Sequence, residues 1–239
     1  MADRPLIGIT LDYQEKGTFS QRPHYAVRTI YFAAVEAAGG LPIAIPHLAD
    51  RLPEYMKMID GLVIPGGTHA SPESWYVDLH EPPPYEETPR AAFDIAVVEQ
   101  ALKRDMPLLG ICAGMQELAC VAGAKMTRNV HKHYKTEIDH RQGSTADRYA
   151  HDVTIEPGTR LAEIVGAGRI EVNTAHQEAV VSVPKDMTIS ARSPDGVIEA
   201  IELPKRKFAL GVQWHPEFFL QAGNPHRKVF EALVAAARS

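Results

Sequence analysis

The chain has 239 residues, 45% of them hydrophobic and 23% charged, with a formal net charge of −5. That is enough for a substantial buried core in one domain, or at most two small ones, and the mild acidity without a run of like charge gives no reason to expect nucleic acid as a partner. Two cysteines are too few for a disulfide framework and show no paired metal spacing, so they are expected reduced, as in a cytoplasmic protein.

The apolar stretch at residues 6–11 is too short for a signal-peptide core or a membrane span and reads as a first buried strand. Residues 25–38 carry apolar side chains at helical spacing and stop at Gly39-Gly40. Leu41–Ile45 reads as a strand, Leu52–Met58 as a short helix, and Gly61–Ile64 as a strand ending at Pro65-Gly66-Gly67. Residues 68–88 are irregular. Pro89–Lys103 reads as a helix with proline in its first turn, Leu108–Ile111 as a strand and 114–121 as a helix. Residues 126–149 are polar, bear histidines and read as loop. Strands follow at 152–155, 169–173, 187–190, 197–203 and 208–213, with a turn at Ser193-Pro194-Asp195-Gly196 and a last helix at 227–237. The alternation predicts an α/β fold: a mostly parallel sheet with helices on both faces, extended by antiparallel strands in the second half. Nothing demands a second domain, so residues 1–239 are expected to form one. The two long loops are expected to rim a site; surface decoration is the alternative.

Gly110-Ile111-Cys112-Ala113-Gly114 joins a strand to a helix. That pattern predicts a tight elbow that lifts the Cys112 thiol toward solvent at a helix N-terminus, where the thiolate is favoured. A plain buried turn would share the pattern. A thiolate needs a base, and His215 in Gln213-Trp214-His215-Pro216-Glu217 also falls past a strand end. Pro216 keeps His215 extended, which puts Glu217 on the same side to orient the ring. The N–H groups of Ala113 and Gly67 are candidates for the oxyanion site. Cys120, inside the apolar helix, reads as a core thiol. The spacing of His131, His133, His140 and His151 matches no zinc pattern, so no metal or cofactor is expected. His140 and Arg141 are candidate substrate contacts, Arg141 as a carboxylate clamp or as a plain surface residue. Trp75 and Tyr76 are candidates to cover the site.

GICAGMQ, GVQWHPE and IPGG, in the order IPGG, GICAGMQ, GVQWHPE along the chain, resemble the class I glutamine amidotransferase superfamily. Arg90-Ala91-Ala92-Phe93-Asp94, His140-Arg141-Gln142 and Val172-Asn173-Thr174-Ala175-His176 draw the resemblance toward the gamma-glutamyl-gamma-aminobutyrate hydrolases. The resemblance covers nearly the whole chain. It implies a flavodoxin-like fold and hydrolysis of a small gamma-glutamyl amide by Cys112, His215 and Glu217 through a thioester. It also implies that Gly66, Gln116, His140 and Arg141, with Asn173, Thr174 and His176, contact substrate. Ala113 stands where family members commonly carry arginine, Ala91 where aspartate follows Arg90, and Thr68-His69 where aspartate is frequent. The family's Asn-Ser-x-His-His-Gln is here Asn173-Thr174-Ala175-His176-Gln177-Glu178. These departures leave the triad intact and fall on the recognition side. The alternatives are a binding protein with an idle site and a glutaminase subunit that supplies ammonia to a synthase. No membrane contact is expected, and a homodimer is left open.

Overall fold

The computed structural model describes residues 4–68, 71–141 and 147–238; His69 and Gln142 lie outside them. In chain order the elements are β1 (Leu6–Thr10), β2 (Asp12–Gln14), β3 (His24–Ala26), α1 (Thr29–Ala37), β4 (Leu41–Ile45), α2 (Leu52–Met58), β5 (Gly61–Ile64), α3 (Pro89–Lys103), β6 (Leu108–Ile111) and α4 (Ala113–Val121). The second half continues with β7 (Lys125–Thr127), α5 (Val130–Tyr134), β8 (His151–Ile155), α6 (Arg160–Val165), β9 (Gly168–Val172), β10 (Ala179–Ser182), β11 (Thr188–Arg192), β12 (Ile198–Glu202), β13 (Ala209–Val212) and α7 (Pro225–Ala237).

Nine strands form one sheet in the order β4-β1-β5-β6-β13-β12-β11-β8-β9. From β4 to β13 every pairing is parallel. From β13 to β9 every pairing is antiparallel. The parallel strands read as continuous apolar runs because both of their faces are covered. Leu62, Ile64 and Leu108 pack with Phe93, Val97 and Leu118 of α3 and α4 on one face. Val63, Leu109 and Ile111 pack with Val35, Phe230 and Leu233 of α1 and α7 on the other. Mixed α/β architecture with helices on both faces is therefore as the residue pattern predicts. Among the described residues no helix is long and apolar enough to cross a membrane.

Two local readings are corrected, and one short helix goes unread in the sequence. Residues 24–26 are strand, pairing with β2 as a hairpin, so the first helix begins only at Thr29. Residues 126–149 are not all loop. β7 is held by pairing with β10, a partner remote in sequence that local periodicity cannot reveal. Asn129 caps α5 by accepting from the Lys132 N–H at 3.1 Å. Six-residue α6, capped by Thr159, is too short to show a period.

Candidate active site

Cys112 sits between β6 and α4 with φ 53° and ψ −108°, a conformation that L side chains rarely adopt. Its backbone N–H donates to the Val212 carbonyl at 2.8 Å, which ties the elbow to β13. The flanking glycines are sterically required. A Cβ on Gly110 would collide with the Gly114 carbonyl, and one on Gly114 with the Ile64 carbonyl. The thiol does not face bulk solvent, as the elbow alone suggests. Cys112 is only 7% exposed and meets the outside through a pocket that it shares with Gly67, Ala113, Gln116 and His215.

His215 lies just beyond β13, and its Nδ1 donates to Glu217 Oε1 at 2.8 Å. The route differs from the extended one expected: Pro216–Phe218 is a single 3₁₀ turn, and this turn swings Glu217 beside the ring. Burial alone would lower the histidine's pKa. The Glu217 carboxylate and the Cys112 sulfur, which hydrogen-bonds the same ring, outweigh burial and raise it to about 10. The ring is thus held protonated between the Glu217 carboxylate and the Cys112 sulfur. Asn173 fixes the backbone below it from both sides: its Oδ1 accepts from the His215 N–H at 2.8 Å and its Nδ2 donates to the His215 carbonyl at 3.0 Å.

The Pro65-Gly66-Gly67 turn faces the elbow. Fully buried Arg90 anchors it from behind, donating to the Pro65 carbonyl at 2.6 Å and the Gly66 carbonyl at 3.3 Å. The same guanidinium pairs with Asp94 at 2.9 Å and Asp12 at 3.3 Å. With its carbonyls pulled away, the turn presents Gly67 to the pocket. Neither glycine tolerates a side chain: a Cβ on Gly66 would approach His215 Cε1 to 2.6 Å, and one on Gly67 would overlap the Arg90 guanidinium. The Gly66 N–H donates to the Tyr31 hydroxyl at 3.1 Å, and that hydroxyl in turn faces the Glu217 carboxylate. Burial and the carboxylate push the tyrosine's pKa well up, so it stays protonated.

A strained cysteine, an imidazole held by a buried carboxylate and a glycine turn opposite both converge at the ends of β5, β6 and β13. A family model described as Peptidase C26 matches residues 5–217. The chain belongs to the Peptidase C26 family. It is 33% identical over 280 residues to a glutamine amidotransferase-like protein of Rickettsia prowazekii, with 100% of this chain and 99% of that protein covered. It is 31% identical over 247 residues to the gamma-glutamyl-gamma-aminobutyrate hydrolase PuuD of Escherichia coli, covering 99% of this chain and 94% of that one. Among solved structures, a GMP synthase subunit from Thermoplasma acidophilum superposes with a TM-score of 0.64 at 17% identity, covering 99% of this chain and 96% of that one, which speaks to the shared fold.

In this Peptidase C26 member the remaining residues singled out in the sequence divide among the pocket, the wall behind it and the exposed surface. Gly66 packs against the Cys112–His215 pair. Gln116 lines the pocket and spends its amide on the Glu178 carbonyl at 3.0 Å and Gln213 Oε1 at 3.1 Å. His176 also lines the pocket. Asn173, Thr174 and His140 are fully buried behind the wall, where the Thr174 hydroxyl and the His176 N–H both donate to the His140 carbonyl at 2.8 Å. Arg141 is exposed and lies near the pocket's Tyr85, whose pKa burial and Glu178 push up to about 12. Among the pocket residues Arg28 and Tyr85 carry no signal as contacts in the sequence, while Glu178 closes the segment that the resemblance ties to recognition. Arg28 falls within a stretch of helical spacing, whereas it is the residue just before α1. Tyr76 is buried, its hydroxyl donating to Glu178 Oε1 at 2.5 Å, and Trp75 packs on the core rather than over the pocket. The loop after Gly67 is fastened to β7, through Asp78 to Thr127 and Arg128 and through the Val77 N–H to the Met126 carbonyl. Cys120 is a buried core thiol, its pKa pushed up to about 12 chiefly by burial.

Proposed function

We propose that the protein hydrolyses the gamma-glutamyl amide bond of a small gamma-glutamyl amine or peptide. The Cys112 thiolate attacks the gamma-carbonyl carbon, and the resulting oxyanion is received by the N–H groups of Gly67 and Ala113, each such donor lowering the barrier by about 3 kcal/mol. The His215 imidazolium passes its proton to the amide nitrogen, the C–N bond breaks and the amine leaves a glutamyl thioester on Cys112. Neutral His215 then takes a proton from water, the hydroxide attacks the thioester, and collapse releases glutamate and regenerates the thiolate. Glu217 keeps Nδ1 protonated throughout, so Nε2 is the nitrogen that exchanges the proton.

The pocket supports a free glutamyl head because it carries both signs of charge. Arg28, exposed at the rim, suits the alpha-carboxylate, and Glu178 suits the alpha-ammonium group. Asp12 and Gln14 line the adjoining groove, beyond Gly66 and Gly67, where the leaving amine would lie. The observation that carries the reading is Cys112 at positive φ, hydrogen-bonded to a histidine that a buried glutamate holds. We further propose that it works in the cytoplasm on a small molecule, without cofactor, nucleic acid or membrane.

A turnover panel of gamma-glutamyl amines, gamma-glutamyl peptides and glutamine, with mass spectrometry of the trapped acyl-enzyme, tests the proposal. Amine release with an adduct on Cys112, both abolished in Cys112→Ala, is expected. Turnover of glutamine alone would favour the ammonia-supplying role suggested by the relatives described as amidotransferases. No adduct with any substrate would leave a binding protein.

A further inference from the structure

Behind the pocket wall lies a second cluster of ionisable side chains, none of them in the triad. Glu199 on β12 is fully buried, and neither of its carboxylate oxygens has a hydrogen-bond partner among the described residues. Its Oε1 is instead surrounded by three ring nitrogens: His140 Nδ1 at 3.5 Å, His176 Nε2 at 3.6 Å and His151 Nε2 at 3.7 Å. Those nitrogens also lack hydrogen bonds among the described residues. A hydrogen bond would draw nitrogen and oxygen to about 2.7–3.2 Å. A tetrahedral ion with bonds of about 2.0–2.2 Å instead separates its ligand atoms by roughly 3.3–3.6 Å.

The opposite nitrogen of each ring is occupied. His140 Nε2 meets Asp195 Oδ2 at 2.9 Å, His176 Nδ1 meets the Glu178 carbonyl at 2.9 Å and His151 Nδ1 meets the Asp152 carbonyl at 3.1 Å. A carbonyl or carboxylate oxygen only accepts, so in each neutral ring the proton sits on the outer nitrogen and the lone pair points inward at Glu199. Carboxylate and carbonyl acceptors behind the rings are the second shell that metal-bound histidines carry. In neutral rings these lone pairs would face a carboxylate in the interior, so either a metal ion or ring protons must lie among them, and Glu199 and Asp195 do raise the pKa of His140 against its burial.

We propose that His140, His151 and Glu199, whose donor atoms all lie within 4.8 Å of one another, bind one divalent transition-metal ion of the zinc class, with His176, 3.6 Å from Glu199, turning its ring in as the fourth ligand. With His176 turned in, three nitrogens and one oxygen would close the donor set, which makes the ion structural. It would pin the His176–Glu178 segment, and with it one wall of the pocket, to β8, β12 and the loop that holds His140. The ion's place is independent of the cysteine chemistry.

The test uses the untagged full chain, stripped with chelator and titrated with Zn²⁺ and with Co²⁺. One ion per chain retained through gel filtration, a tetrahedral Co²⁺ absorption band and a rise in Tm are expected. Glu199→Gln and His151→Ala, checked for folding by circular dichroism, should lose retention at least tenfold. His131→Ala, whose ring lies 6.4 Å from that of His140, should keep it. Stripped wild-type protein that retains no ion and shows no Co²⁺ band would overturn the proposal, leaving protonated histidines against Glu199. Retention undiminished in both ligand variants would overturn it equally.

Discussion

Two fully buried charged residues flank the pocket, and their surroundings are opposite. Arg90, behind the oxyanion turn, meets four acceptors at 2.6–3.3 Å: the Pro65 and Gly66 carbonyls, Asp94 and Asp12. The carboxylate of Glu199, behind the His176 wall, makes no hydrogen bond among the described residues, and the nearest ring nitrogen stands 3.5 Å away. The first cluster sets one guanidinium within hydrogen-bond reach of two carboxylates and two carbonyls, so it can act as a rigid pillar without help. The second sets one carboxylate among ring nitrogens at 3.5–3.7 Å, beyond hydrogen-bond distance. The parallel half of the sheet therefore braces the Pro65–Gly67 turn by protein contacts alone, while the antiparallel half holds the His176 wall of the pocket through the cluster proposed to bind an ion.

The sharpest way to break this comparison is to remove the pillar. Arg90→Ala takes the guanidinium away from buried Asp94 and frees two carbonyls of the turn. Denaturant titration should show a loss of about 3–5 kcal/mol, with turnover falling as the turn relaxes. Gly67→Ala attacks the same turn from the front. Its methyl must displace the guanidinium and with it the oxyanion donor, so kcat is expected to fall about 10²–10³-fold. On the other side, Asp195→Asn weakens the acceptor behind His140 and should cost about 10–100-fold in Zn²⁺ affinity, read by competition with a chelating dye, while kcat changes little.

A pH effect of smaller amplitude sharpens the same contrast. In the proposed mechanism His215 must carry its proton to release the amine, and its pKa is raised to about 10. The rate should hold through neutral pH and fall as pH rises through about 10. Glu217→Gln removes the largest raising contribution and should draw that alkaline limb down toward the ordinary histidine range. A limb that stays near 10 in Glu217→Gln would show that the carboxylate does not set the ring's charge.

The candidate catalytic site is legible because each part is signalled within a few residues. Gly110, Cys112 and Gly114 are spaced for an elbow, and His215 stands two residues from its orienting acid. Even there local pattern misses detail, since Glu217 arrives by a 3₁₀ turn and the thiol lies buried at the base of a pocket. Arg90 stands out as a helix start but not as the pillar behind Gly67, because that contact crosses from α3 to the end of β5. Asn173 is expected beside substrate and instead clamps the His215 backbone. Spacing alone gives the histidines of the polar stretch no metal. His140 and His151 do meet, but with His176 and Glu199, which arrive from other segments.

What the amino-acid order determined by itself is therefore what short range can encode. Apolar runs require cover on both faces of the parallel strands, glycines permit the elbow, and a proline-bounded segment carries base and acid together. What the tertiary structure alone decided is which remote side chains share a space: the pairing of β7 with β10, the charges of Arg28 and Glu178 in one pocket, and four donors around one point. Side chains from different strands and loops acquire common direction only once the sheet's register is set, and no local period carries that register.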